Sequence, residues 1–320
     1  MRAALVGYGV IGHVHARIIP NYGTLAAVCD TDPEVLKDAP GEKHYSDYET
    51  MLDEVHPDVV HICTPHYLHA DMIVAALRRN VNVLCEKPMC IREEDVPRIL
   101  EAERASAAQL AVCHQNRYNG ANRFVKDYLA DKKVECAAGH VSWHRDAAYY
   151  ASGAWRGRWE TEGGGVLINQ ALHTFDLLQW FCGMPDTLTA STANLTLDGK
   201  IEVEDTATVL CRGENGGNFT FTATNGNVKD CPVEISIRAD GEWIKLMPKY
   251  VVAGDELHLF KDRHHMLGKT CYGSGHEVLI ADFYDCIKTG RKFPIDGTEA
   301  SKVIRLILAV YGSHGKTVTL

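Results

Sequence analysis

The sequence predicts a doubly wound parallel α/β sheet over residues 1–120, followed by an α+β region built on a mostly antiparallel sheet over residues 121–320. Three observations carry this. Short apolar runs alternate with helical patterns in the first third, as in parallel strands joined by crossover helices. A glycine-rich turn separates the first run from the first helix. Beyond about residue 120, strand-like runs follow one another with tight-turn signals between them.

Within residues 1–120, Ala3–Val6 is a short apolar strand and Val10–Ile19 a helix stopped by Pro20. Thr24–Cys29 is a second strand, and "DVVHICTP" (58–65) a third, with a helix from His66 to Arg79. "VNVLCEKP" (81–88) is a fourth strand, Glu93–Ser106 a helix, and "LAVCHQNRY" (110–118) a fifth strand. Within residues 121–320 a lone helix, Val166–Phe181, precedes strands at 187–197, 205–212, 218–225, 232–239, 242–247 and 250–260. "ENGG" at 214–217, "NGN" at 225–227 and "ADG" at 239–241 are turn sequences. In 232–239 Val233, Ile235 and Ile237 alternate with Glu234, Ser236 and Arg238, giving one buried and one wet face. Helices at 276–289 and 297–311 close the chain.

A net charge of −9 with no Lys/Arg-rich run argues against nucleic acid or an anionic membrane as partner. No stretch reaches the roughly 20 apolar residues of a membrane span. The opening "MRAALVGYGV" is interrupted too early by Gly7 and Gly9 to be a signal peptide, so a cytoplasmic location is expected. Eleven cysteines form no C-x-x-C pair, and Cys29, Cys63, Cys85 and Cys211 lie in apolar runs. They read as reduced thiols acting as small hydrophobes.

Gly7-Tyr8-Gly9-Val10-Ile11-Gly12 is a G-x-G-x-x-G turn between a strand and a helix. Gly7 permits the tight turn, Gly9 carries no Cβ to block a pyrophosphate, and Gly12 lets helix and strand approach. The helix N-terminus offers free N–H groups to the anion. Asp30, 18 residues after Gly12, ends the second strand and suits an adenosine ribose. It would repel a 2′-phosphate, so NAD is expected over NADP. His13 and His15 are too close in sequence to face each other on a helix. His61, His66 and His69 straddle a strand end and a helix start, so no metal site is expected.

Two strands end in conspicuous tripeptides, "CTP" at 63–65 and "EKP" at 86–88. In an open parallel sheet, ligands bind beyond the carboxyl ends of the strands. Cys63, Thr64, Pro65, His69, Glu86 and Lys87 therefore join the glycine turn as cofactor-side residues. A Lys at that edge suits holding a hydroxyl that becomes a carbonyl. Pro88 follows it, and a cis bond there would re-aim the Lys.

With these residues in place the chain resembles the Gfo/Idh/MocA family, named for glucose–fructose oxidoreductase, inositol dehydrogenase and a rhizopine catabolism protein. The resemblance rests on "GYGVIGHVHA", "CTPHYLHADMIVAAL", "EKPMC", "TEGGGVLINQALHTFDLLQWFCGMP" and "HEVLIADFYDCIKTGRKFPIDGTEASKVIRLILAVYGS". It implies a Rossmann domain and an open-faced antiparallel sheet, with helices on one face, that serves as subunit interface. It also implies NAD(P)-dependent dehydrogenases or reductases of sugars, cyclitols and their derivatives.

Three glycines precede the 166–181 helix, on which Asn169, His173 and Asp176 fall at i, i+4 and i+7, one polar stripe. The resemblance makes His173 the catalytic His, and His is well suited to take a proton near neutral pH. Many dehydrogenases of the family carry Asp four residues earlier, where this chain has Asn169, which cannot act as a base. Lys87 and His173, with Asn169, are the expected catalytic set. Substrate contacts are expected from "NRYN" (116–119) and "WHRDAAYYASGAWRGRWE" (143–160), with Arg117, Tyr149, Trp155 and Arg156 joining Asn169 and His173. Aromatic faces and hydrogen-bonding edges suit a sugar ring, though a subunit interface has the same composition.

The function expected is NAD-dependent hydride transfer at a hydroxyl or keto carbon of a sugar, cyclitol or glycoside. A redox-neutral glycoside-cleaving or epimerising enzyme with recycled NAD is the alternative. A non-catalytic dinucleotide sensor fits less well, because both Lys87 and His173 are present. The amphipathic sheet at 187–260 predicts a homodimer or homotetramer.

Overall fold

The computed structural model describes residues 1–261 and 275–320. These form two compact units. One comprises Met1–Gln115 with the segment that runs from 275 to 301. The other comprises 116–261 and Lys302–Leu320. The parallel-sheet unit thus recruits a late segment, whereas contiguous blocks of 1–120 and 121–320 were expected.

The first unit holds β1 (Arg2–Val6), β2 (Thr24–Cys29), β3 (Lys43–Tyr45), β4 (Val59–Ile62), β5 (Asn82–Cys85) and β6 (Leu110–Val112). All pairings are parallel, in the order β3-β2-β1-β4-β5-β6. This is the doubly wound order, and it reverses between β1 and β4, where ligands of such sheets bind. Its helices are α1 (Val10–Ile18), α2 (Pro33–Leu36), α3 (Tyr48–Val55), α4 (His69–Arg78) and α5 (Asp95–Ala105), with a later helix at Gly275–Thr289. Helices on both faces explain why β1 and β4 are buried: every residue from Ala3 to Val6 and from Val59 to Ile62 is buried, His61 included. The sequence reading passed over β3 and α3. β3 is a three-residue, largely exposed edge, too short for periodicity to register. α3 is marked by its cap, Asp47 Oδ1 accepting from Thr50 N at 2.8 Å.

The second unit adds β7 (Val134–Ser142), β8 (Thr187–Ala193), β9 (Thr206–Arg212), β10 (Phe219–Thr224), β11 (Glu234–Ala239), β12 (Glu242–Met247), β13 (Tyr250–Ala253), β14 (Glu256–Leu259) and β15 (Thr317–Thr319). They order as β14-β13-β12-β11-β7-β10-β9-β8-β15, and only β7–β10 is parallel. Three helices, α6 (Gly120–Tyr128), α7 (Ala147–Ala151) and α8 (Leu172–Cys182), come from the first half of the unit. The central strand β7 was not expected, because its Ala, Gly and Cys residues have low strand propensity. Gly139 is small for a reason: a Cβ there would lie 2.7 Å from Leu178 Cδ1, so α8 rests directly on this strand. Inward and outward residues alternate as predicted. Ile235 and Ile237 are buried, while Leu210 and Trp243, at 55% and 57% exposure, lie among the outward residues.

The helix expected at Val166–Phe181 begins only at Leu172. Gly163 and Gly164 adopt φ of +83° and +147°. The buried carboxylate of Glu204 then accepts from Gly165 N at 2.8 Å and Leu167 N at 3.1 Å. Residues 163–171 fold as turns, and this carboxylate satisfies two of their backbone N–H groups. Asn169 therefore precedes α8 and does not share a helical stripe with His173 and Asp176. Asp176 is itself buried, paired with Arg117 at 2.7 Å and 2.6 Å.

That pair predicts a stability effect. Asp176→Asn leaves the Arg117 guanidinium buried without its counter-ion, a loss of about 3–5 kcal/mol. Urea unfolding checks it, and a change below about 1 kcal/mol would contradict the anchoring role.

Candidate active site and cofactor loop

The glycine turn has the shape a dinucleotide needs. Gly7 sits at φ +86°, and a Cβ there would meet Cys63 O at 2.6 Å. At Gly12 a Cβ would be 2.1 Å from Gly7 O, so α1 lies against the turn. At Gly9, the N-cap of α1, a Cβ would meet nothing within 4 Å. The first and third glycines are thus required by the protein's own packing, whereas Gly9 faces open space at a helix N-terminus, which favours a phosphate anion. Tyr8 is buried and stacks on His13 at 4.1 Å, while Val10 is 70% exposed and Ile11 half-buried. Asp30, just past β2, accepts from Tyr8 N at 2.8 Å and Asp32 N at 3.0 Å. The acid that would hold a ribose is thereby locked to the loop that would hold the pyrophosphate.

The two tripeptides are tied together by His69. Its ring is fully buried, with Nδ1 2.7 Å from Pro88 O and Nε2 2.9 Å from Thr64 O. Both nitrogens face loop carbonyls, so His69 holds the "CTP" and "EKP" turns in place. Burial lowers its pKa, against the two carbonyls that raise it. Cys63 is buried, Pro65 opens a 3₁₀ turn at His66–Leu68, and Thr64 donates to Met72 Sδ at 3.4 Å. The Lys87–Pro88 bond is cis. Lys87 is half-buried directly beyond β5.

Glu86 turns inward. Its Oε1 lies 3.0 Å from His15 Nε2 and 3.4 Å from His276 Nε2. His15 Nδ1 is 2.8 Å from His61 Nδ1, and His61 Nε2 is 2.9 Å from Tyr284 Oη. One tautomer set satisfies the chain: Tyr284 donates to His61, His61 to His15, and His15 to Glu86. Burial pushes the Glu86 pKa up, but hydrogen bonds from His15 and His276 outweigh it and hold the carboxyl well below its usual range. Burial holds His61 well below its ordinary value and also lowers His15. With Cys113 Sγ, the ligand atoms of His15, Glu86 and His276 lie within 4.8 Å of one another, a donor set zinc accepts. Burial, then the Glu86 charge, raises the Cys113 thiol well above its usual range. The sequence hid this cluster because Glu86 and His15 are 71 residues apart.

In the second unit, Tyr149, Arg156 and Asn169 converge. The Tyr149 hydroxyl accepts from Arg156 Nη1 at 2.7 Å, Gln170 Nε2 at 3.1 Å and Asn169 Nδ2 at 3.4 Å. The Arg156 guanidinium lies 4.7 Å from the Tyr149 ring centroid and 4.4 Å from that of Trp155. Asn169 Nδ2 also donates to Glu162 Oε1 at 2.6 Å, and the Glu162 Oε2 accepts from Gly157 N. His173 is half-buried in the first turn of α8, whose other members through Gln179 are buried. Arg117, expected among the substrate residues, is 4% exposed and bidentate to Asp176, which makes it an anchor for α8. Glu162, Gln170 and Glu204 escaped the sequence reading: no spacing rule marks a carboxylate that pairs with a turn.

Residues 1–114 match the family model described as "Oxidoreductase family, NAD-binding Rossmann fold", and 133–245 match that of the GFO/IDH/MocA C-terminal domain. The chain belongs to the Gfo/Idh/MocA oxidoreductase family, with an NAD-binding Rossmann domain. It is 34% identical over 142 residues to inositol 2-dehydrogenase of Salmonella typhimurium, and 30% over 155 residues to a putative oxidoreductase, YteT, of Bacillus subtilis. These matches take in 42% and 47% of this chain but only 41% and 34% of the relatives' lengths. The WlbA dehydrogenase of Bordetella pertussis, solved with NADH and UDP-GlcNAcA, is 28% identical with a TM-score of 0.86, over 100% of this chain and 98% of that one. Levoglucosan dehydrogenase with NADH and levoglucosan shares the fold at 19% identity and a TM-score of 0.87, covering 100% of this chain and 99% of that one. Among the described residues no helix is long and apolar enough to cross a membrane.

Two outcomes are expected. Gly9→Ala, placed in open space, should leave the thermal midpoint unchanged yet weaken NAD binding at least tenfold by calorimetry; equal binding would remove Gly9 from the cofactor site. Glu86→Gln should cost about 1.5–3 kcal/mol at pH 7, the worth of a hydrogen bond to a charged group. Because the folded Glu86 pKa lies below the unfolded one, this stabilisation is present above the unfolded value and lost as pH falls through the folded one. The gap between wild type and Glu86→Gln should therefore close on acidification, measured by denaturation from pH 7 to 3.

Proposed function

We propose that this protein is a dehydrogenase that transfers a hydride between NAD and a hydroxyl-bearing carbon of a sugar, cyclitol or glycoside. The observation that carries the reading is the glycine turn with Asp30 on the same carboxyl edge of one parallel sheet as Lys87. A Lys at that edge has a role once a dinucleotide occupies the turn. NAD supplies the two-electron acceptor. Lys87 donates to the substrate oxygen and holds it as its carbon loses hydride. With NAD bound as the two-electron acceptor, His173 would take the proton of the substrate hydroxyl. Tyr149, Trp155 and Arg156 supply aromatic faces and donors suited to a sugar ring. His69 acts indirectly, by fixing the two turns that flank the nicotinamide side. The relatives solved with sugar-like ligands support this substrate class.

The outward face of the nine-stranded sheet, with Leu210 and Trp243 exposed, supports a homodimer or homotetramer. The ten described cysteines are free, which agrees with a reducing cytoplasm. Asn169 favours one second reading, a redox-neutral reaction in which NAD is reduced and reoxidised in place. A relative 26% identical over 206 residues, covering 62% of this chain and 54% of its own length, is a 2,7-anhydro-N-acetylneuraminate hydratase.

The test is nicotinamide fluorescence with NAD and a panel of sugars, cyclitols and aryl glycosides, beside Lys87→Met. NADH should accumulate with one sugar class, and Lys87→Met should lower kcat by about 100-fold or more. Glycoside turnover without net NADH would replace the dehydrogenase with the redox-neutral enzyme. An unchanged Lys87→Met would overturn both.

A further inference from the structure

We infer that Glu162 is the positioning residue of the substrate cluster: its buried carboxylate fixes the side-chain amide of Asn169, and through it the Tyr149 hydroxyl. This rests on the reading of Asn169 and Tyr149 as substrate-side groups. Glu162 is 0% exposed and directly precedes the three glycines. One carboxylate oxygen accepts from the backbone of Gly157, the other from Asn169 Nδ2 at 2.6 Å. A distance that short is in the range of charge-assisted hydrogen bonds.

The pairing settles which way Asn169 points. A carboxylate only accepts, so the Asn169 atom facing it is the nitrogen. Asn169 Nδ2 also reaches the Tyr149 hydroxyl at 3.4 Å, and Arg156 donates to that same hydroxyl at 2.7 Å. The cluster therefore runs from a guanidinium at one end to a carboxylate at the other, with Tyr149 and Asn169 between them. Gln170 braces the arrangement, donating to Tyr149 and accepting from the buried Asn225 at 3.0 Å. The carboxylate charge touches position 169 in space, although it lies seven residues away in sequence.

The relation is reciprocal, and that makes it testable by exchange. Asn169→Asp places two carboxylates at hydrogen-bond distance. They cannot both ionise freely, so one proton is retained with a raised pKa. Glu162→Gln with Asn169→Asp restores one charge and one amide, with the donor now on residue 162.

The experiment compares wild type, Glu162→Gln, Asn169→Asp and the double variant, reading kcat, KM and thermal midpoint from pH 5 to 9. Glu162→Gln is expected to lower kcat/KM at least tenfold. Asn169→Asp should lose activity and thermal stability progressively as pH rises through the shared pKa, since the retained proton is then removed. The double variant should abolish that pH dependence and regain at least tenfold in kcat over Asn169→Asp. Wild-type kinetics in Glu162→Gln, or a double variant with the pH profile of Asn169→Asp, would overturn the proposal. If no panel substrate turns over, the functional reading fails, while the thermal profiles of Asn169→Asp and the double variant still decide the pairing.

Discussion

A single buried carboxylate organises the parallel-sheet unit. Glu86 closes β5, yet its side chain turns into the protein, where His15 from α1 and His276 from the late helix meet one of its oxygens. An ionised carboxylate in that interior persists only because several N–H groups replace its water. Those donors come from elements far apart in sequence, so the hydrogen-bonding demand of one residue brings β5, α1, β4 and the Gly275–Thr289 helix together. The chain direction that buries Glu86 sets the next residue, Lys87, at the carboxyl edge of the sheet.

The second unit uses the same device twice. Glu204 collects the backbone N–H groups of Gly165 and Leu167, and burial lifts its own pKa to about 7. Glu162 collects the backbone N–H of Gly157 and the side-chain amide of Asn169. Both carboxylates bind turn backbone, and both act where glycines leave the N–H groups accessible. Here a segment with helical hydrophobic spacing folds as turns, and α8 starts six residues later than that spacing suggests. Gly139 plays the complementary role on β7, where the lack of a side chain lets α8 lie against the sheet. The unit is thus built from close approach at glycines and from carboxylates that satisfy irregular backbone.

Much of the fold was legible because it depends on period and punctuation. The strands β1, β2, β4 and β5 announce themselves as apolar runs, and the glycine turn identifies the first crossover. Alternation at Val233–Arg238 correctly assigned one buried and one wet face. β3 and β7 were not legible: one is three residues at a largely exposed edge, and the other carries Ala and Gly of low strand propensity, Gly139 lying under a packed helix. Among site residues, Gly7, Gly12 and Asp30 occupy the places their spacing implied, and Tyr149, Arg156 and Asn169 form one cluster. Arg117, expected among the substrate residues, is buried against Asp176, a pairing hidden in sequence because its partner lies 59 residues away.

By itself the sequence determined most strands of the parallel sheet, the dinucleotide loop and the candidate chemistry of Lys87. These follow from local rules: backbone freedom at glycine, side-chain period, and the proton affinity of single residues. Tertiary structure alone decided which carboxylates are buried and what each one holds. Burial is a property of contacts between distant segments. Only there does it emerge that Glu86 faces two histidines, that Glu204 holds the backbone of Gly165 and Leu167, and that Glu162 orients an amide.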